Sequence, residues 1–409
     1  MKKPYPINLF LKYLVKVWMF WFTSRYRIKG NIKPALKKIN EPYLLLGNHY
    51  GRFDPFIMSY FFDKRPNFVS SDAILRDKVI GSLFKGLGAM PMKKGLRDSS
   101  IIRQMLKVIQ ADGALAIFPE GTRTWNGVTG RMDPSIAKLV RLLKVPVITA
   151  RMRGAYLMDP RWAKPIRRAQ MEIDFQQIIG KEETRELSED EIFNRIKESI
   201  YQDDTAYQEE KKIEIKSSKR AESVDLVLFQ CQCCSEFSQF SSIGNEFNCT
   251  SCTQRFEFDK YGFIKSNIEL KFNNLRDWIN WQNNNFVVFI KEEYAIGREE
   301  SFFSAPSMSI ESAIGYKRME KLGIGDISFF GDRIEVLLPE EKIVLEIDKI
   351  SSMSAQYMER VELIYGDIAY RFVSKKHNES GLKWELATNV IWSLAGAEQK
   401  VASYFRDIV

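Results

Sequence analysis

Apolar runs and amphipathic stretches alternate through the first 178 residues of the chain. Short apolar runs that predict buried strands are followed by segments whose apolar residues recur at helical spacing. The predicted strands are 42–47, 67–70, 88–92, 114–118, 145–150 and 170–175, and the predicted helices are 56–62, 78–87, 99–111, 134–143 and 188–202. Asp54-Pro55 predicts a helix start with Asp54 as N-cap, and Ser188 with Glu191 predicts a capping box. This order predicts an α/β fold with a mixed, largely parallel sheet flanked by helices.

The pattern changes to period-two alternation, which is typical of strands, from about residue 284. Hairpins are predicted in 326–338 around Gly331-Asp332 and in 361–373 around Gly366-Asp367, with another strand in 342–350. Residues 380–397 have helical spacing. Several antiparallel strands followed by one helix resemble a pleckstrin-homology-like β-barrel with a C-terminal helix.

The first apolar segment, Ile7 to Phe22, has the spacing of a helix. Its apolar positions include Leu9, Phe10, Tyr13, Leu14, Val17, Trp18 and Trp21, with Lys12 and Lys16 on the other side. It is too short and too charged for an ordinary membrane span, which needs about 20 apolar residues. Tryptophans beside basic residues favour a helix that lies in the headgroup region. The alternative is a helix packed on its own domain.

Composition and charge narrow the class of protein. The chain has 409 residues, 45% of them hydrophobic and 13% aromatic, which predicts a multidomain globular protein and excludes global disorder. Residues 1–170 contain 32 Lys and Arg against 10 Asp and Glu, whereas the remainder contains 29 against 42. The net charge of +9 therefore conceals two oppositely charged halves. A basic half suits an anionic lipid surface or nucleic acid, and attraction between the halves is the other interpretation.

Two polar motifs follow predicted strands. His49, one of only two histidines, lies five residues before Asp54, and the run Phe118 to Arg123 follows another strand. A histidine held by a carboxylate can take a proton from a hydroxyl, and an arginine fork suits a phosphate. The first half has no Gly-x-Ser-x-Gly motif and no cysteine, so we expect the attacking hydroxyl to belong to the substrate.

Four ordered segments of the chain resemble the sequence blocks of the glycerolipid acyltransferases, and most closely those of bacterial 1-acylglycerol-3-phosphate acyltransferases. These are Asn48-His49 to Asp54, Gly88 to Lys94, Phe118 to Arg123, and Val145 to Ile148. The resemblance covers roughly residues 30–200. It implies an acyl transfer from a thioester on coenzyme A or acyl carrier protein to a lysophospholipid hydroxyl.

The resemblance also implies roles for individual residues. His49 would be the general base and Asp54 its orienting partner. Lys94, Glu120, Gly121, Thr122 and Arg123 would bind the acceptor, with Arg123 on its phosphate. Val145 to Ile148 would shape the apolar site.

Two positions depart from the family pattern. Lys94 stands where the second block usually ends in arginine, which keeps the charge but loses the bidentate geometry. Thr149 replaces a usual proline in the fourth block.

The second half opens with two Cys-x2-Cys knuckles separated by fourteen residues. They consist of Cys231, Cys234, Cys249 and Cys252. Four thiolates around one tetrahedral ion predict a structural zinc ribbon, with two disulfides as the alternative. Cys233 is the spare cysteine and could replace a neighbour as ligand. Acidic residues around the knuckles argue against nucleic-acid binding; they are Glu236, Glu246, Glu257 and Asp259.

These features predict five segments. They are an interfacial membrane helix (1–29), an acyltransferase domain (30–205), a charged linker (206–224), a zinc ribbon (225–265) and a β-rich domain (270–405). We expect a peripheral membrane enzyme on the cytoplasmic face that binds Zn²⁺, a lipid acceptor and an acyl thioester, with no nucleic acid, and a C-terminal domain with a protein or lipid ligand. Two alternatives are a lipid-binding scaffold with little turnover and an enzyme for another lysolipid head group.

Overall fold

A computed structural model describes residues 4–71, 78–92, 99–237, 239–315, 317–355, 360–374 and 379–409. The chain divides into two compact units. The first comprises Met1–Arg161 and Ile166–Ser217, and the second comprises Trp162–Pro165 and Ser218–Val409.

The first unit is built on a seven-stranded mixed sheet. Its strands are β1 (Ile28–Asn31), β2 (Leu44–Gly47), β3 (Asn67–Ser71), β4 (Met90–Met92), β5 (Leu115–Ile117), β6 (Val147–Arg153) and β7 (Met171–Ile179). Their spatial order is β1-β7-β6-β2-β5-β3-β4. Only the β6–β7 pair is antiparallel, which confirms the mixed, largely parallel sheet predicted from the alternation of strands and helices.

Helices connect these strands. They are α1 (Leu9–Arg25), α2 (Pro34–Lys37), α3 (Asp54–Tyr60), α4 (Lys78–Gly86), α5 (Ser99–Gln110), α6 (Ser135–Leu143), α7 (Ala155–Met158), α8 (Glu183–Glu186), α9 (Glu189–Ile200) and α10 (Asp204–Lys211). The capping box at Ser188 and Glu191 forms as predicted. Asp54 is not the N-cap of α3, because Phe53 takes that position and the Asp54 carboxylate points back at the preceding loop.

One apolar core packs on the sheet. Leu44, Leu115 and Val147 from three neighbouring strands meet Ile136 and Val140 of α6 there. The apolar faces of α5 and α9 close the same core. Burial of these branched side chains supplies most of the stabilisation expected for an α/β layer.

Helix α1 has two different faces. Val15, Met19 and Phe22 are buried against the domain, whereas Phe10 and Trp21 are 69% and 60% exposed. Among the described residues, no helix is long and apolar enough to cross a membrane.

Helix α10 extends into the segment that the sequence predicts to be a charged linker. Its Tyr207 and Gln208 are buried, and Asp203 caps its first turn through the backbone N–H groups of Thr205 and Ala206. This part of the segment is therefore folded onto the first unit.

The second unit begins with a four-stranded antiparallel sheet. Its strands are β8 (Phe240–Ile243), β9 (Glu246–Cys249), β10 (Arg255–Phe258) and β11 (Ile264–Lys265), in the order β11-β10-β9-β8. Phe247 and Phe256 stack on one another against Trp278.

A long helix, α11 (Leu275–Ile296), follows this sheet. The sequence pattern predicts a β-rich region from about residue 284. That start is wrong, because α11 extends to Ile296 and the next strand begins at Phe303. Asn274 caps the helix by accepting a hydrogen bond from the Asp277 N–H, and Gly297 ends it in the left-handed conformation. Apolar residues at positions 278, 279, 286, 287 and 290 recur at helical spacing and are buried.

The remainder of the unit is a seven-stranded antiparallel sheet and one helix. Its strands are β12 (Phe303–Ile314), β13 (Glu320–Phe329), β14 (Arg333–Leu337), β15 (Lys342–Glu346), β16 (Ile350–Ala355), β17 (Arg360–Tyr365) and β18 (Ile368–Ser374). Their order is β15-β14-β13-β12-β18-β17-β16, and the helix is α12 (Gly381–Leu394). A meander in which the first strand pairs with the last, followed by a buried helix, is the pleckstrin-homology-like arrangement that the sequence predicts.

Candidate functional site

Three parallel neighbours, β6, β2 and β5, end at one edge of the first sheet. Asn48 follows β2 directly, and its amide donates to the Met152 carbonyl (2.9 Å) and accepts from the Met152 N–H (2.8 Å) in β6. The run that begins at Phe118 follows β5. The two sequence motifs therefore meet because the carboxyl ends of parallel strands share an edge.

His49 and Asp54 form a hydrogen-bonded pair at this edge. The distance from His49 Nδ1 to Asp54 Oδ2 is 2.9 Å, and the same oxygen accepts from the N–H groups of Tyr50 (2.7 Å) and Gly51 (2.9 Å). Asp54 is 1% exposed and occupies the first turn of α3, where the helix dipole favours a negative charge. Three donors on one oxygen hold the carboxylate in place and leave the other imidazole nitrogen available.

The surroundings of His49 favour its neutral form. Burial lowers the pKa of His49, and the positive charges of Arg123 and Arg161 lower it further, whereas the hydrogen bond and charge of Asp54 raise it. The ring stacks on Phe118 at 4.0 Å between centroids. A neutral imidazole with one nitrogen held by a carboxylate can accept a proton at the other nitrogen.

Glu120 links the loops around the pair. Its carboxylate accepts from the His49 N–H (2.7 Å) and from the Gly130 N–H (2.6 Å), and burial raises its pKa to about 8. Both of its oxygens are thus engaged by backbone groups. The family resemblance assigns Glu120 to acceptor binding, but its geometry is that of a bridge which fixes the His49 loop to the loop after β5.

Gly121, Thr122 and Arg123 follow Glu120 in the loop after β5. Gly121 adopts a φ of +71°, which explains the glycine, and a side chain there would meet no atom within 4 Å. Thr122 accepts a hydrogen bond from the Arg161 guanidinium through Oγ1 (3.1 Å). Arg123 Nη1 is buried without a hydrogen-bond partner among the described residues, and burial lowers the pKa of Arg123 to about 10. An unpartnered guanidinium nitrogen suits an anionic ligand.

Two residues that the sequence motifs do not include, Asp159 and Arg161, follow α7 and contact both loops of the site. The buried Asp159 carboxylate accepts from the Arg52 N–H (2.7 Å) and from Arg52 Nε (2.9 Å), which anchors the loop of His49. Arg161 donates to the Arg123 carbonyl (2.8 Å) and lies over the Trp125 ring at 3.8 Å. No local motif marks these two residues, and only their convergence in space shows what they contact.

Asp159 and Arg161 also explain why position 51 is a glycine and why positive charge is concentrated at this edge. A Cβ at Gly51 would lie 2.9 Å from Asp159 Oδ2, so no side chain fits there. Arg52, Arg123 and Arg161 gather around this one carboxylate, and the mutual repulsion of these guanidinium groups adds to the lowered pKa of Arg123. The edge therefore carries an excess of positive charge beside the His49–Asp54 pair.

Two of the resemblance-based assignments are not found at this edge among the described residues. Lys94 falls outside the described residues, so the structure does not test it. Val145 to Ile148 enter β6 at its other end, where Val147 pairs with Leu44, and Val145 and Val147 pack in the core cluster. The parallel register thus separates this block from the edge that carries His49.

Four cysteines in the second unit form a separate cluster. The Sγ atoms of Cys231, Cys234, Cys249 and Cys252 all lie within 4.8 Å of one another. The Cys231–Cys252 and Cys234–Cys249 sulfur distances are 3.8 Å and 4.0 Å, too long for disulfides and close to the spacing of thiolates on one tetrahedral ion. Cys233 lies outside this set and is exposed. The donor set can hold a metal ion.

Comparison with known proteins gives one family and a few structural similarities. No curated protein matches the chain. The 1-acyl-sn-glycerophosphate acyltransferase PlsC from Thermotoga maritima is 16% identical, with 49% of this chain and 79% of that chain covered and a TM-score of 0.41. The Vps36 N-terminal PH domain is 16% identical, with 24% of this chain and 82% of that chain covered and a TM-score of 0.19. The N-terminal PH domain of human ARAP2 is 17% identical, with 23% of this chain and 81% of that chain covered and a TM-score of 0.18. The acyltransferase family model matches residues 25–153, the segment that carries the His49–Asp54 pair and the Arg123 loop.

Proposed function

We propose that the first unit transfers a fatty acyl group from an acyl thioester to the free hydroxyl of a lysophospholipid. The preferred acceptor is 1-acylglycerol-3-phosphate, which gives phosphatidic acid, and the donor is acyl-coenzyme A or acyl carrier protein. The observation that carries this proposal is the His49–Asp54 pair beside Arg123, whose Nη1 has no hydrogen-bond partner in the part of the chain that the structure describes.

His49 acts as the general base in this mechanism. Asp54 accepts the proton of Nδ1 and fixes the tautomer, so the other ring nitrogen takes the proton of the acceptor hydroxyl. The hydroxyl oxygen attacks the thioester carbonyl and forms a tetrahedral oxyanion. When this intermediate collapses, the carbon–sulfur bond breaks, the ester forms, and the imidazolium returns its proton to the departing thiolate.

Arg123 recognises the acceptor phosphate. Its partly buried guanidinium offers a planar fork to the phosphate oxygens, and the neighbouring Arg52 and Arg161 add positive charge. These positive charges attract an anionic group, so a phosphorylated acceptor is favoured over a neutral one.

Helix α1 and the four-cysteine cluster have separate roles, in membrane attachment and in folding of the second unit. The exposed apolar face of α1 lies on the cytoplasmic surface of a membrane, where the acceptor is found. The four cysteines hold one Zn²⁺ with a structural role, because four thiolates leave no open coordination position.

Acyl transfer with purified protein tests the function. Wild type and His49→Ala are incubated with a panel of lysolipids and both acyl donors, and the products are identified by mass spectrometry. We expect phosphatidic acid from the wild type and a loss of roughly 10²–10⁴-fold in kcat for His49→Ala. Full activity in His49→Ala would refute the mechanism, and wild-type binding of lysolipid without product would favour the scaffold alternative.

A further inference from the structure

A basic hollow of about 250 Å³ lies in the first unit, apart from the residues around His49. Five cationic side chains line it, and among its lining residues only Glu214 is acidic; the cations are Arg27, Arg168, Lys211, Lys212 and Lys216. Such a concentration of like charge around a concave surface is unfavourable unless an anion offsets it.

Its two arginines have no anionic partner within the part of the chain that the structure describes. Lys211 pairs with Glu210 (2.7 Å), and Lys216 lies 3.9 Å from Glu214, so these lysines are partly neutralised. The guanidinium groups of Arg27, which is exposed, and of Arg168, which is half-buried, have no ion pair or hydrogen bond among the described residues. Arg168 Nε is itself buried, and a buried donor without a partner is rare in folded proteins and suggests a ligand.

The backbone of the hollow is fixed in place. The Arg168 carbonyl accepts from the Lys216 N–H (2.9 Å), which joins the two sides of the hollow. The buried Gln208 amide donates a hydrogen bond to the Ile213 carbonyl (2.6 Å) and accepts one from the Ile213 N–H (2.9 Å). A preformed wall lowers the entropy cost of binding.

The hollow faces the same edge of the sheet as His49. Arg27 directly precedes β1 and Gln170 directly precedes β7, and those strands pair in parallel from Ile28 and Met171. Because β7 runs antiparallel to β6, its start lies beside the end of β6, next to the end of β2. Two strand spacings, about 10 Å, separate the lines of β7 and β2.

We propose that this hollow is a second phosphate-binding site, distinct from Arg123, which binds a phosphate ester through Arg27 and Arg168. Guanidinium groups match the oxygens of a phosphate, and the remaining lysines add a favourable potential. Two sources have this chemistry: the head group of an anionic membrane lipid and the phosphate end of a soluble ligand such as coenzyme A.

The test variant is Arg27→Asn/Arg168→Gln. Asparagine is chosen at position 27 because its φ of 53° is left-handed, a conformation that asparagine tolerates. The matched control is Lys144→Asn/Arg141→Gln, which also removes two positive charges, both exposed in this case, and places asparagine at a φ of 54°. Lys144 precedes β6, so the control lies at the opposite edge of the sheet.

Binding is measured without turnover, so failure here is distinguishable from failure of the proposed acyl transfer. The soluble probe is adenosine 3′,5′-bisphosphate in equilibrium dialysis. The lipid probe is sedimentation with phosphatidylcholine vesicles that contain phosphatidic acid, compared with vesicles in which fatty acid carboxylates supply the same surface charge.

We expect the test variant to weaken at least one phosphate probe about tenfold or more, since hydrogen bonds to charged groups are strong, while the control binds like wild type. A loss in dialysis alone identifies a soluble phosphate, and a loss confined to phosphatidic acid vesicles identifies a lipid head group. Unchanged binding of both probes would overturn the proposal, as would an equal loss on phosphate and carboxylate vesicles.

Discussion

At the scale of single residues, the site depends on how a few side chains are held rather than on their presence alone. His49 is fixed by Asp54, Asp54 by two backbone N–H groups, and the backbone of His49 by Glu120. The contacts of Asp54 lie within the segment that follows β2, whereas the Glu120 contact joins that segment to the loop after the neighbouring parallel strand β5. The chemistry therefore rests on hydrogen bonds that the sheet makes available.

The lowered pKa of His49 predicts the pH dependence of acyl transfer. Burial outweighs the effect of Asp54, so the imidazole stays neutral below its usual pKa of 6.5. The base is active when neutral, and we expect kcat/KM to rise with pH through a midpoint below 6.5 and then to level off. The Asp54→Asn change removes the contributions that raise this pKa, so residual activity should show a still lower midpoint. An acid limb centred at or above 6.5 in the wild type would contradict this.

Arg161 is predicted to act as a positioning residue for Arg123. The Arg161→Lys change keeps the charge but loses the guanidinium Nη1, which donates to both Thr122 Oγ1 and the Arg123 carbonyl. Loss of a hydrogen bond to a charged group costs about 1.5–3 kcal/mol, so we expect KM for a phosphorylated acceptor to rise about tenfold or more. Preference over a neutral monoacylglycerol should shrink in parallel.

The control for that prediction is Arg195→Lys, an exposed arginine that pairs with Glu183 at 3.0 Å. A purely structural effect of Arg161→Lys would reduce the fraction of active enzyme and hence kcat. It would leave KM and the acceptor preference unchanged, and that result would rule out positioning.

At the scale of elements, sequence periodicity predicted most helices and strands of the first unit to within a few residues. Its failures have identifiable causes. Helix α11 was missed because three consecutive asparagines (283–285) interrupt its apolar pattern, although its cap at Asn274 was a usable signal. Asp54 was assigned as a cap because Asp-Pro commonly starts helices, whereas His49 and the loop N–H groups take its carboxylate.

The exposed face of α1 predicts membrane association. Replacement of Phe10 and Trp21, which are 69% and 60% exposed, by serine should leave the fold intact because neither is in the core. Full burial of one large apolar side chain contributes about 1.5–3 kcal/mol, so the double change should weaken vesicle binding at least tenfold. Sedimentation with phosphatidylcholine vesicles measures this. Ile243→Ser, an 81% exposed apolar residue in the other unit, is the control, and equal binding of all variants would count against the interfacial helix.

At the scale of the whole molecule, the chain consists of two compact units, each with its own core. The first carries the segment that the acyltransferase family model matches, and the second carries the cysteine cluster and the pleckstrin-homology-like sheet. The thermodynamic effect of metal binding should therefore be confined to the second unit.

Removal of the metal tests whether its effect on stability is confined to the second unit. The wild type should contain about one zinc per chain, and Cys249→Ala should contain none, because three thiolates do not satisfy a structural tetrahedral site. Cys233→Ala is the matched control and should retain the metal, since Cys233 lies outside the cluster. Hydrogen exchange should show faster exchange in the second unit of Cys249→Ala and unchanged exchange in the first. Equal metal content in both variants would show that the four cysteines are not the ligands.

Most strands and helices of the first unit, the His49, Asp54 and Arg123 motifs and the spacing of the four cysteines can be read from the sequence alone. Periodicity, turn residues and short-range spacing are local properties, so they are readable along the chain. Tertiary structure alone decided that Asp159 and Arg161 hold both motif loops, and that Glu120 bridges those loops through its two oxygens. It also separated Val145 to Ile148 from the site and gathered Arg27 and Arg168 into one hollow. These outcomes depend on which strands become neighbours and in which direction each strand runs, and that is fixed by the packing of residues far apart in the sequence.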